Sequence, residues 1–473
     1  MRRTLLMILI ATQSGVSWGQ ESRLHAELRR EGERVADACS TFSLKIFTGC
    51  AYTLFTDHPL HIAAGSMPPQ NGFGLGGSFV WDKNTPNWRM SWDFDAVGAN
   101  NGAWRAGSYM KLVHTPATSI HITAPGATET GGLPHKPKRI SLAVHPYTAI
   151  HLYVQTISLN KLNFSGEGND STLAGASVFG MRETVVGGRV IKPLFEWPAI
   201  RKLNLSLLGE LNGRFVTINP EHGQSVPSIE QLYTNSTAPG LISQPGFIQG
   251  GEGIRIKPGV GYFHLNYLAK FEQYEAPSST QNSFMRWTLD LDHTYDLHGT
   301  TKSSSADAGM TGPDECAPAG ENCPRVPTSV NLNGSIGVRL LLSESITSKT
   351  SAVPFYFQPT LGGQDIDSSL SLGSYRDYRF RAPNLLLLQE SFEHSIWGPF
   401  GLKLMADEGR VALTHGDLGF SHLRHSFAGG LTLRAGGFPM ISMMFAWGGP
   451  EGHHNVFNMN SSLLGGSARP SLD

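Results

Sequence analysis

"YFHLNYLAKFEQY", residues 262–274, carries apolar side chains at Phe263, Leu265, Tyr267, Ala269 and Phe271, and polar ones at His264, Asn266, Lys270 and Glu272. Period two of this kind means an extended strand with one apolar and one largely polar face. The run is also about as long as a tilted membrane strand needs to be. The same period recurs in both directions along the chain. Met285, Trp287, Leu289 and Leu291 alternate with Arg286, Thr288, Asp290 and Asp292. Trp88, Met90, Trp92 and Phe94 alternate with Arg89, Ser91, Asp93 and Asp95. Leu203, Leu205, Leu207 and Leu211 alternate with Asn204, Ser206, Glu210 and Asn212.

A soluble sandwich alternates too, so the decision rests on what surrounds the strands. The N-terminus has Arg2 and Arg3, then the apolar run Leu5 to Ala11, then Ser17-Trp18-Gly19. That is the pattern of a secretory signal peptide, which would be removed near residue 19. Beyond it no stretch of about 18 apolar residues could form a membrane helix. In a bilayer only a helix or a closed barrel satisfies its own backbone, so an exported chain of long amphipathic strands points to an outer-membrane barrel. The reading is all-β, a transmembrane antiparallel β-barrel, with a secreted soluble β-protein as its rival.

Residues 57–473 are assigned to the barrel, 1–19 to the signal peptide, and 20–56 to a short periplasmic or plug segment. In that segment "ESRLHAELRREGERVADA" predicts one short helix. At roughly 25 residues per strand and connection, the 473 − 57 = 416 residues allow about 16 strands. Seventeen segments qualify, one too many for an even barrel; 139–146, 353–361 and, last in order, 438–447 are among them. Polar stretches at 115–138, 217–246, 298–328 and 363–383 read as loops, expected outside the cell.

Charge excludes some functions. With 37 Lys and Arg against 38 Asp and Glu, there is no basic footprint for nucleic acid. Cys39 with Cys50, and Cys316 with Cys323, form two local pairs, which in an oxidising compartment predict small loop-closing disulfides. Their spacing does not suit zinc knuckles, and neither metal nor cofactor is expected. No Gly-x-Ser-x-Gly elbow occurs, and none of the 18 histidines begins a His-x-Ser triplet, so the chain is read as not an enzyme. The Asp93/Asp95 and Asp290/Asp292 pairs are read as lumen-wall charges.

One stretch is unlike a surface charge run. "LGSYRDYRFRAPNLLLLQE", residues 372–390, sets Arg376, Arg379 and Arg381 directly before Leu385 to Leu388, with Asp377 and Glu390 close by. From Leu361 to Val411 the sequence resembles the closing half of the BamA/TamA superfamily, the bacterial surface antigen family. Leu372 and Tyr375 match the ends of that family's Leu-Arg-Gly-Phe/Tyr motif, "NLLLLQE" its Leu- and Gln-rich strand, and Asp407, Gly409 and Val411 its Phe-x-Asp-x-Gly-x-Val strand. "FAGGLTLRAGGFPMISMMFAWGGPEGHH", 427–454, looks like the last two strands, and "FSGEGNDST", 164–172, like an earlier turn. Gly373 and Ser374 stand where the motif has Arg and Gly.

The resemblance implies a loop folded into the lumen, with Arg376, Arg379 and Arg381 pairing there with Glu390 or with Asp407, next to Gly409. The alternative is a solvated cluster on an outer loop. It also implies protein insertion, assembly or translocation at the bacterial outer membrane, without periplasmic POTRA modules. A passive porin-like pore or structural barrel is the alternative. Outer-membrane lipid or lipopolysaccharide is the expected surrounding partner, with client outer-membrane proteins or periplasmic accessory proteins implied by the family.

Overall fold

The computed structural model describes residues 60–114, 148–196, 203–222, 224–260, 263–297, 334–397, 400–435, 438–459 and 470. The signal-peptide region, the 20–56 segment with its expected helix, and all four cysteines lie outside the described residues, as does the segment 139–146.

Sixteen strands form one antiparallel sheet in which each pairs with its neighbours in sequence. In order they are β1 (Leu60–Ser66), β2 (Phe73–Asn84), β3 (Trp88–Ala99), β4 (Trp104–His114), β5 (Ala149–Phe164), β6 (Ser177–Glu196), β7 (Leu203–Pro220), β8 (Phe247–Val260), β9 (Phe263–Glu275), β10 (Phe284–Leu297) and β11 (Gly334–Ile346). After the two-residue strands β12 (Thr360–Leu361) and β13 (Phe380–Arg381), which pair only with each other, come β14 (Asn384–Trp397), β15 (Phe400–Ala412), β16 (Arg424–Ala435), β17 (Phe438–Gly449) and β18 (Gly452–Met459). The sheet curls until β1 and β18 lie alongside one another.

The alternation read from the sequence sets the two faces. Leu211 is 64% exposed and its neighbour Asn212 1%. Phe263 and Met285 are exposed on the outside, while Thr288 is buried on the lumen side. In a soluble sandwich such an outward apolar band would face water; a barrel presents it to lipid, as expected from period two in a closed sheet. The lumen wall is instead polar and paired. Arg214 on β7 donates to Glu183 at 2.9 Å and to Gln249, whose amide nitrogen reaches Glu210 at 2.8 Å and Glu272 at 2.9 Å. Arg339 grips Asp290 with two bonds of 2.8 Å. Buried charges need such partners, which explains why acids and arginines share the inner face.

Two expectations change. Residues 353–361 do not form a wall strand: Phe355–Phe357 make a single 3-10 turn and Thr360–Leu361 pair with Phe380–Arg381 inside the barrel. Their aromatic, β-prone composition serves a lumen core rather than a ladder. The sixteenth wall strand is instead β18, beyond the last segment assigned from alternation. The loop assignment also fails on parity. Because consecutive strands run antiparallel, the connections after β4 and β10 leave one end of the barrel and those after β7 and β11 the other. The four connections that hold the expected loops therefore do not all leave on one side, and the stretches 115–138 and 298–328 themselves lie outside the described residues.

Candidate functional site

The connection from β11 to β14, residues 347–383, folds into the lumen. Two apolar clusters hold it there. Phe355, Tyr356, Phe357 and Tyr378 pack with Phe164, Phe179, Phe247, Tyr274 and Phe284 from the inner wall, with Phe355 edge-on to Phe164 and Phe179 at 5.3 and 5.1 Å. Leu361, Leu372, Tyr375 and Phe380 pack with Leu385, Leu387 and Val411. The Leu-rich run of β14 is thereby explained: Leu385 and Leu387 point inward to meet the connection. A Cβ on Gly409 would lie 2.9 Å from Leu361 Cδ1, so the glycine leaves the room the connection occupies. Leu372 and Tyr378 have positive φ, 47° and 58°. Non-glycine residues hold that conformation only where surrounding contacts impose it.

The three arginines have three destinations. Arg381 donates to Phe355 O at 2.6 Å, and its guanidinium lies about 6 Å from the rings of Phe164, Phe179 and Phe355. Arg379 makes a buried ion pair with Glu451 in the β17–β18 turn and bonds Ser171 O at 2.7 Å and Ser171 Oγ at 2.8 Å in the β5–β6 connection. Arg376 is exposed.

The expected carboxylate partners do not receive these arginines. Asp407 is buried on the inner face, where it accepts the Leu372 amide at 2.9 Å and the Gln389 side chain at 3.1 Å. Gln389 also accepts from Arg339 at 3.3 Å and donates to Leu370 O at 2.9 Å. With glycine at position 373, Asp407 is satisfied by a backbone N–H and an amide, and the nearest guanidinium in that chain of bonds comes from β11. Glu390 is exposed beside buried Gln389; period two puts it on the outer wall, away from the lumen. Asp377 accepts the Gln364 amide at 3.0 Å, and burial raises its carboxyl above the usual carboxylate range. Burial likewise raises Glu167, in the β5–β6 connection, which accepts from Gln358.

Several partners carry no sequence signal. Glu451, Ser171 and Ser426 contact the connection across 72, 208 and 52 residues of chain, with no motif to mark them. Ser374, in the motif's glycine position, donates its amide to Ser426 Oγ at 2.8 Å and accepts the Gly449 amide at 3.0 Å. The connection is thus fastened to β16 and to the β17–β18 hairpin. Lower in the lumen, Arg214 also donates to Pro470 O at 2.6 Å.

Among the described residues no ladder joins β1 to β18. A cavity of about 720 Å³ opens at this seam. Ser66, Met67 and the following turn line one side, His454 to Phe457 of β18 another, and Gln364, Tyr375, Arg376 and Asp377 the floor. Among the described residues no cluster of His, Cys, Asp and Glu could hold a metal ion.

No protein-family model and no curated protein matches the chain. Among solved structures it is similar to CdiB from Acinetobacter baumannii (TM-score 0.46, 10% identity, covering 85% of this chain and 59% of that one). CdiB from Escherichia coli gives 0.47, 10%, 85% and 62%. BamA from Haemophilus ducreyi, lacking POTRA domains 1–3, gives 0.45, 10%, 85% and 71%. The chain spans about three fifths of the length of the two CdiB chains. At this identity and at TM-scores below 0.5, no residue role passes from them to this protein.

Proposed function

We propose that the protein is an outer-membrane barrel of the BamA/TamA type that inserts or translocates polypeptide, with the seam between β1 and β18 as its working site. The observation that carries this reading is the seam itself: fifteen ladders join consecutive strands, none is formed there among the described residues, and a cavity opens at that gap. Unpaired strand edges present free N–H and C=O groups and accept an added strand. The motif resemblance over 361–411 supports the same assignment. The passive-pore reading is disfavoured by the aromatic cluster around Phe355–Phe357, which fills the lumen at one end. The role contains no catalytic step. Its partners would be client barrels in strand form, and its surroundings outer-membrane lipid.

The test is to bridge the seam. In a background with the four native cysteines changed to serine, Ser66→Cys and Asn455→Cys are joined by a cleavable thiol crosslinker. Folding of an added client barrel into liposomes should be accelerated by the open form, lost on crosslinking, and regained on cleavage. Steady conductance with no effect on client folding in either form would instead establish the passive pore.

A further inference from the structure

The seam cavity has a lining that strand addition alone does not call for. Phe73 and Phe457, on its outer rim, are 48% and 53% exposed and face the lipid side. Beside apolar Met67, Tyr375 and Val456, its lining carries the polar side chains of Gln70, Asn163, Gln364, Arg376, Asp377 and His454. It sits at the rim where β1 ends and β2 begins, at the same end of the barrel as the 347–383 connection.

Arg376 distinguishes the site. Its neighbours Arg379 and Arg381 are buried and engaged, whereas Arg376 is exposed and forms no ion pair with any described residue. Asp377, next to it in sequence, forms no ion pair with it and turns Oδ1 to the Gln364 amide at 3.0 Å. His454 Nε2, on β18 at the same cavity, is buried without a hydrogen-bond partner. Arg376 and His454 thus line one cavity, whose rim carries the exposed rings of Phe73 and Phe457. A guanidinium that no carboxylate engages is free to present its fork to phosphate oxygens, which suit it. The volume lies in the range of small-molecule sites.

We propose that this cavity binds one anionic phospholipid-class amphiphile. Its phosphate lies on Arg376, with His454 as a second donor, and its acyl chains leave between Phe73 and Phe457. The site closes the wall where no ladder does. This goes beyond the insertion reading and does not depend on it, since binding is measured without a client.

Native mass spectrometry of the purified barrel in detergent, titrated with phosphatidylglycerol or phosphatidylcholine, tests the proposal. The protein should retain one phosphatidylglycerol in preference to phosphatidylcholine. Arg376→Gln should reduce that preference about tenfold, and His454→Gln by a smaller factor, with compact gel mobility kept. Inorganic phosphate at millimolar concentration should not displace the lipid. Equal retention of the two lipids, or an Arg376→Gln protein that binds phosphatidylglycerol as the parent does, would overturn the proposal. Displacement by inorganic phosphate would also overturn it, since the site would then read the anion alone.

Discussion

At the residue scale, the crowding of Arg376, Arg379 and Arg381 reflects one short segment reaching three environments: a seam cavity, an ion pair and an aromatic cluster. Arg379 and Glu451 are 4% and 10% exposed, so removing one leaves the other charge buried. Arg379→Gln or Glu451→Gln alone should cost about 3–5 kcal/mol. The double substitution should recover part of that, read from the temperature at which the barrel loses compact gel mobility. Asp377 and Glu167 set a pH dependence. Burial raises both, so their folded pKa values stand above the unfolded ones. The stability they contribute is full below the ordinary carboxylate pKa of about 4 and is lost as pH rises through the raised values. Protease cleavage within 347–383 should therefore increase as pH is raised from about 4 toward neutrality, and Asp377→Asn should flatten that rise. The arginine spacing was legible in the sequence; the partners were not, because Glu451 and Ser171 lie in remote turns and Glu390 faces outward for a reason visible only once register is set.

At the scale of elements, alternation around 262–274 identified a wall strand and both of its faces, because a strand half in lipid and half in a polar lumen has no other pattern. The register makes a sharp contrast testable. Ile254 is outward and 46% exposed midway along β8, and its neighbour Arg255 faces the lumen. Ile254→Lys should cost about 2–4 kcal/mol in a folding titration into lipid vesicles, against little for Arg255→Lys. Where alternation misled was at 353–361. Phe355 to Phe357 are as β-prone as any wall strand, but their partners are rings from five other strands, and local sequence does not record that. Connection length misled in the same way: it predicts a loop, while only the count of strands before it tells which end it leaves.

At the scale of the whole molecule, a lumen filled at one end by the chain's own connection has a measurable consequence. The intact protein should show low, intermittent conductance in planar bilayers, and removing residues 354–382 should raise it severalfold; a large steady conductance in the intact barrel would contradict the packing of Phe355–Phe357. The fastening of that connection to the last hairpin, through Ser374 to Gly449 and Arg379 to Glu451, also has a mechanical meaning. Every ladder joins neighbours in sequence, so a barrel pulled from its final strand would peel away hairpin by hairpin at similar forces. Here the first hairpin to be pulled, β17–β18, is also tied across the lumen, and it should rupture at the highest force in the trace. Arg379→Gln should lower that first peak and leave the later ones in place. The protein would then be strongest under load at the strand that borders its own gap.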